Sequence, residues 1–144
     1  MSGVLVRQTA GPDTYEVNVA VTGGQLVEPD TGGKVKPAAA ASQKVLGVAL
    51  QDAQPAGSAP TNPINTGWPS SKVAVARDVD VRVTYSAAAN FGDLLVSAAN
   101  GQVAPVAAVT TPTAADVNST RAIVGRCTEP LGVASSAVGR ARIF

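Results

Sequence analysis

Apolar and polar residues alternate with a period of two in the clearest stretches of this 144-residue chain. Short runs of Val, Thr and Ala are broken by Gly and Pro, which predicts many short strands joined by turns rather than helices. In Asp78-Val79-Asp80-Val81-Arg82-Val83-Thr84-Tyr85 the valines and Tyr85 face one way and the charged residues and Thr84 the other, as in a strand with one buried face. The same parity runs back through Val73 and Val75. Residues 73–85 are therefore either one long strand bent in its middle or two strands meeting at a bulge near Arg77. Tyr15-Glu16-Val17-Asn18-Val19 alternates in the same way and is expected to pair early in the sheet. Leu94-Leu95-Val96, then Asn100-Gly101, then Gln102-Val103-Ala104 reads as a hairpin, because Asn-Gly supplies the two positive-φ positions of a type I′ turn.

Residues 24–37 can be laid over residues 92–105 without a gap, matching Gly24 with Gly92, Leu26 with Leu94 and Pro37 with Pro105. Val45-Leu46-Gly47-Val48-Ala49 then echoes Ile123-Val124-Gly125-Arg126-Cys127 after a longer loop in the second copy. Each copy ends in an alternating strand, residues 73–85 and 138–144. Chance recurrence in a low-complexity composition is the alternative, but two separated blocks in the same order favour an internal duplication. The expected architecture is a single all-β domain over residues 1–144, a small β-barrel or β-tulip-like body of many short strands with long Pro/Gly-rich loops. Its expected parts are an N-terminal arm or first strands (1–23), a first β unit (24–85) and a second β unit (86–144).

Two stretches stand outside this scheme. Residues 52–72 are too long and too rich in Pro and Gly for a tight connection. They hold the lone Trp68, which is either a plug over the barrel's open end or an anchor for a partner. Residues 107–120, rich in Ala, Thr and Pro, are expected to be an exposed excursion in which Ala114-Ala115-Asp116-Val117 forms one short helical turn.

Composition sharpens the picture. A chain of this length removes about 68–70% of its unfolded surface from water. The 45% apolar share is carried by Ala and Val, with two Phe, two Tyr and one Trp. Such a core is thin, and an obligate assembly that covers further surface is expected. The net charge of +1 gives no long-range pull toward nucleic acid or anionic membranes. No apolar run reaches bilayer-spanning length, and Met1-Ser2-Gly3-Val4 lacks the regions of a secretory signal, so residence in the cytoplasm where the chain is made is expected. Asn118-Ser119-Thr120 fits a glycosylation acceptor but, without a secretory route, is read as chance.

The chain has no His, which removes the commonest general base and transition-metal ligand together. The single Cys127, in an apolar run, is expected to be a buried inert thiol. Asp78 and Asp80 beside Arg82 read as an ordinary charged strand face rather than a catalytic pair, and Thr31-Gly32-Gly33-Lys34 as a turn rather than a phosphate loop. No catalytic, cofactor or metal site is expected. Arg140 and Arg142 share one strand face and, with Arg121 and Arg126 nearby in sequence, form either a basic patch for an acidic partner or a solvated face.

The Gly92-Asp93-Leu94-Leu95-Val96 and Asn100-to-Pro105 block, the Val124-to-Pro130 segment and the terminal Arg140-Ala141-Arg142-Ile143-Phe144 strand resemble the head decoration, or capsid-cement, proteins of tailed bacteriophages. The course of residues 45–53 is similar to the end of that pattern. The resemblance implies a virion structural protein that binds the major capsid protein on the capsid exterior, commonly as a homotrimer, and stabilises the shell by bridging capsomers. The long loop around Trp68 departs from the family's short connections. Val4, Leu5, Val6 and Arg7 are either an arm that adds a strand to a shell protein's sheet edge or the first strand of the chain's own sheet. A rival expectation is a carbohydrate- or peptide-binding β module of a phage tail or fibre, using Trp68 as its contact.

Overall fold

The computed structural model describes residues 11–58 and 70–144. The short alternating runs form β1 (Asp13–Glu16), β2 (Leu26–Pro29), β3 (Val35–Pro37), β4 (Gly47–Ala49), β5 (Lys72–Ala76), β6 (Val79–Thr84), β7 (Leu94–Ser97), β8 (Val103–Pro105), β9 (Ile123–Cys127) and β10 (Val138–Ile143), with one helix, α1 (Ala114–Arg121). They build two antiparallel five-stranded sheets, ordered β1-β5-β4-β2-β3 and β6-β10-β9-β7-β8. The second order is the first with every strand replaced by the fifth one after it. Each sheet curls until its ends meet. A parallel bridge joins Val17, just past β1, to Val35 of β3, and its counterpart joins Tyr85 to Val103. The Asn18 N–H donates to the Val35 carbonyl at 2.9 Å and the Ser86 N–H to that of Val103 at 2.8 Å. The chain is thus two small barrels in tandem.

The repeat extends to single bonds. Val27 opposite Pro37 matches Leu95 opposite Pro105, and the Val21–Ala53 bridge matches Ala89–Val133. The connections β2–β3 and β7–β8 are the same turn. Gly32 and Gly33 have φ of 70° and 71°, Asn100 and Gly101 58° and 67°, so both central residues are left-handed as the Asn-Gly pair predicts. Gly47 and Gly125 are equivalent for a different reason. A Cβ on either would press into the carbonyl oxygen of the adjacent strand, that of Ala76 or Arg142.

The boundary between repeats differs from the expected division at residues 85 and 86. It falls at Arg77 and Asp78, with Asp78 at a φ of 54°, and β6 pairs along β10 in the second sheet rather than continuing β5. Both strands turn their odd-numbered residues inward, so parity alone hides the break. Asp tolerates the left-handed conformation that ends β5 without a bulge.

Both barrels fill their interiors from the same positions. Val17, Val27, Val35, Ala49, Ala53, Val73 and Val75 line the first, and Tyr85, Leu95, Val103, Cys127, Val133, Gly139 and Ala141 occupy the corresponding places in the second. Gly139 stands where the first barrel has Val73, and the space a Cβ there would take is filled by Val133, which replaces the smaller Ala53. The outer face of the first barrel contributes Leu26, Val48 and Ala76, which join the second barrel's cluster with Val83, Val124 and Ile143. Burial of a side chain the size of Leu26 or Val48 stabilises by roughly 1.5–3 kcal/mol, so this apolar layer holds the two barrels together.

Each repeat carries one long excursion, at a different connection. In the first barrel it lies between β4 and β5, and its feet are joined by the Gln54 N–H to the Ser70 carbonyl at 2.8 Å. The matching connection in the second barrel is a tight turn, Ala137 N–H to Ala134 carbonyl at 3.2 Å. There the excursion lies between β8 and β9 and contains α1. This helix is two turns long, not the single turn expected. The Asp116 carboxylate accepts from the Thr113 N–H at 2.6 Å and the Thr113 hydroxyl at 2.8 Å, which anchors its start. None of its residues is buried.

Candidate partner interface

β10 alternates strictly. Gly139, Ala141 and Ile143 point inward, whereas Arg140 and Arg142 are exposed on the outer face of the second sheet. Register then decides their neighbours. Arg140 lies opposite Arg82 of β6, and Arg142 lies opposite Asp80 on one side and Arg126 of β9 on the other. Cross-strand partners share a face, so Arg82, Arg126, Arg140 and Arg142 form one basic surface with Asp80 at its edge. The Arg142 guanidinium donates to the Asp80 carboxylate at 3.4 Å, an exposed pair worth little in stability. Arg121 is not part of this surface. It ends α1 and borders the crevice between the barrels, with Ser42, Val45 and Ile143.

The backbone under the basic face is held from below. The Tyr85 hydroxyl donates to the Arg140 carbonyl at 2.8 Å, and the Arg140 N–H donates to the Glu129 carboxylate at 3.2 Å. Burial, with the Cys127 thiol alongside, pushes the Tyr85 phenol well above its ordinary range. That thiol is itself fully buried. The Thr128 hydroxyl, bordering the same face, is a buried polar atom without a protein partner.

Large apolar residues complete the surface. Leu94, directly opposite Arg126, is 39% exposed, and Phe91 and Leu131 are 65% and 99% exposed. Gly132 packs against Ala89 and Asn90, which brings the tip carrying Leu131 beside the turn carrying Phe91. Sequence reading places Arg82 on the solvent face but cannot show that it joins Arg140, because that requires the β6–β10 register. Phe91, Leu94 and Leu131 carry no sequence signal of exposure, since apolar residues in turns and strands read as core.

Of the other sequence candidates, Val4, Leu5, Val6, Arg7 and Trp68 lie outside the described residues. Asp78 and Asp80 border one wide groove of about 800 Å³ with Gly11, Leu50 and Arg77, and Asp80 is the partner of Arg142. Among the described residues no group of three or more His, Cys, Asp and Glu side chains could hold a metal ion, and no helix is long and apolar enough to cross a membrane.

The fold is that of tandem five-stranded β-barrels presenting a basic and apolar outer face. It is similar to the solved structure of the head fiber gp8.5 N base in bacteriophage phi29, with a TM-score of 0.60 and 15% identity over 92% of each chain. At this identity the likeness concerns the fold. No protein-family model matches the chain, and no curated protein matches it in sequence.

Proposed function

We propose that the chain is a non-catalytic structural component of a phage virion, seated on the outside of the capsid. The observation that carries this reading is the fold likeness to a head fiber base over nearly the whole of both chains. The repeat pattern that resembles head decoration proteins points the same way. The basic and apolar face supplies what the role requires: a surface rather than a reactive group. A protein bridging capsomers, as a trimer, would repeat modest contacts at each shell subunit, and effective concentration multiplies them. The partner is then the major capsid protein, and its acidic surface is the expected match for Arg82 and Arg140.

Co-sedimentation with purified empty heads of the encoding phage tests this. Wild-type chain is expected in the head fraction, with Arg82→Glu/Arg140→Glu reducing the bound amount about tenfold or more. Wild-type chain that stays in the supernatant at every concentration would refute the reading. The likeness to a head fiber base favours a second seat, at the foot of a longer fibre. A native particle in which the chain contacts a fibre protein and not the shell would select that seat.

A further inference from the structure

Two identical folds in one chain present two copies of every surface, and the packing between them uses one of each. In the first barrel Leu26, Val48 and Ala76 stand side by side across β2, β4 and β5 and are buried under the second barrel. Their seat on the second barrel includes Val124 and Ile143, with Val79 and Val81 packed against them. Polar contacts pin the rim. The Gln25 amide donates to the Asn100 carbonyl at 3.1 Å, and the Ser97 hydroxyl to the Ala39 carbonyl at 2.8 Å.

Each barrel keeps one half of this pairing unused. On the second barrel the residues in the register positions of Leu26, Val48 and Ala76 are Leu94, Arg126 and Arg142, all exposed. On the first barrel the residues equivalent to Val79, Val81, Val124 and Ile143 are Gly11, Asp13, Leu46 and Arg77. With Tyr15 and Asp78 they line a cleft of about 240 Å³. An apolar knob therefore remains on one surface (Leu94) and an apolar floor on the other (Tyr15, Leu46).

Around these the substitutions are opposite in charge. Val48 and Ala76 become Arg126 and Arg142 on the face, whereas Val81 becomes Asp13 in the cleft, with Asp78 at its rim. Arg77 is a like charge there, outnumbered by the two carboxylates. The face keeps Asp80 beside Arg142, against Arg82, Arg126, Arg140 and Arg142.

We infer that the part of the second barrel's outer face formed by Leu94, Arg126 and Arg142 docks into the first-barrel cleft of another copy of this chain, repeating between molecules the packing that joins the barrels within one. Such a contact is heterologous. It closes into a ring when the rotation allows and otherwise extends. Charge at both surfaces, where the internal layer is apolar, lets the free chain stay dissolved before it assembles. The inference rests on the repeat and not on the virion reading, and stands or falls without it.

Sedimentation of the purified full-length chain over the micromolar range tests it. Wild type is expected to self-associate, more weakly as salt rises. Arg126→Asp and Asp13→Arg are each expected to lower the association constant about tenfold or more. Mixing the two variants is expected to restore association, because the intact face of one meets the intact cleft of the other. Cooperative thermal unfolding confirms that each variant folds, and Arg126→Asp, on an exposed position, carries the test if Asp13→Arg does not fold. Wild type that remains monomeric overturns the inference. So does a wild type that associates only after residues 2–8 are deleted, which would give the cleft to the chain's own N-terminal segment. Association that Arg126→Asp and Asp13→Arg both leave unchanged overturns it as well.

Discussion

The second barrel encloses Tyr85, Val133 and Gly139 where the first encloses Val17, Ala53 and Val73, and this exchange of volume can be measured. A Cβ on Gly139 would run into both Cγ atoms of Val133, so Gly139→Ala is expected to destabilise by about 1–3 kcal/mol through overpacking. Val133 is 8% exposed. Removing its two methyl groups costs roughly 0.8 kcal/mol each plus a cavity contribution, so Val133→Ala is expected to cost about 2 kcal/mol. In the double variant the new methyl enters the space that Val133 vacates, and replacing Gly by Ala inside a strand returns roughly 0.5–1 kcal/mol. The double variant should therefore lose about 1 kcal/mol, well short of the sum of about 3–5 kcal/mol, with a coupling of about 2–4 kcal/mol. Urea unfolding of the four proteins, followed by circular dichroism and checked for equal m-values, gives the cycle. Additivity within about 0.5 kcal/mol would show that the two positions do not share space and would refute the volume argument.

Leu26 and Leu94 are the same residue at equivalent places in the two repeats. Leu26→Ala is expected to cost about 2–5 kcal/mol in monomer stability and Leu94→Ala less than about 1 kcal/mol; similar losses in chemical denaturation would contradict the burial of the inter-barrel layer. Tyr85→Phe removes the hydrogen bond to the Arg140 carbonyl, which the Thr128 N–H still serves at 3.2 Å, for an expected loss of about 1 kcal/mol near neutral pH. The folded phenol holds its proton more tightly than the unfolded one. The stability this provides is complete below the unfolded value of about 10 and lost as pH rises above it, by up to about 1.4 kcal/mol per unit. Unfolding free energies measured through alkaline pH should accordingly converge between wild type and Tyr85→Phe, and parallel curves would exclude the effect. Cys127 should react with an aromatic disulfide reagent only at the rate of unfolding, as a stopped-flow comparison with denaturant would show.

Much of the fold was legible because its signals are local. Alternation exposed β6 and β10, Asn100-Gly101 marked its turn, and the gapless match of residues 24–37 with 92–105 named β2, β3, β7 and β8 as a repeated unit. The boundary was not legible. Val73, Val75, Val83 and Tyr85 share one parity, and only hydrogen bonding assigns β5 and β6 to different sheets. The extra turn of α1 was hidden as well, because Asn118, Ser119 and Thr120 are weak helix formers. Here the Ser119 and Thr120 hydroxyls bond back to the Ala115 and Asp116 carbonyls at 3.1 and 2.9 Å. Of the basic surface, the outward direction of Arg140 and Arg142 followed from period two, whereas the approach of Arg82 and Arg126 depends on register, which no single strand encodes. Exposure of Phe91 and Leu131 depends on what the other barrel leaves uncovered.

Electron cryomicroscopy of native particles of the encoding phage addresses the proposed role most directly. Two small five-stranded barrels per chain are expected on the outer surface of the shell, with Arg82 and Arg140 toward another protein. Particles whose reconstruction shows no such density, and whose protein content lacks the chain, would contradict it.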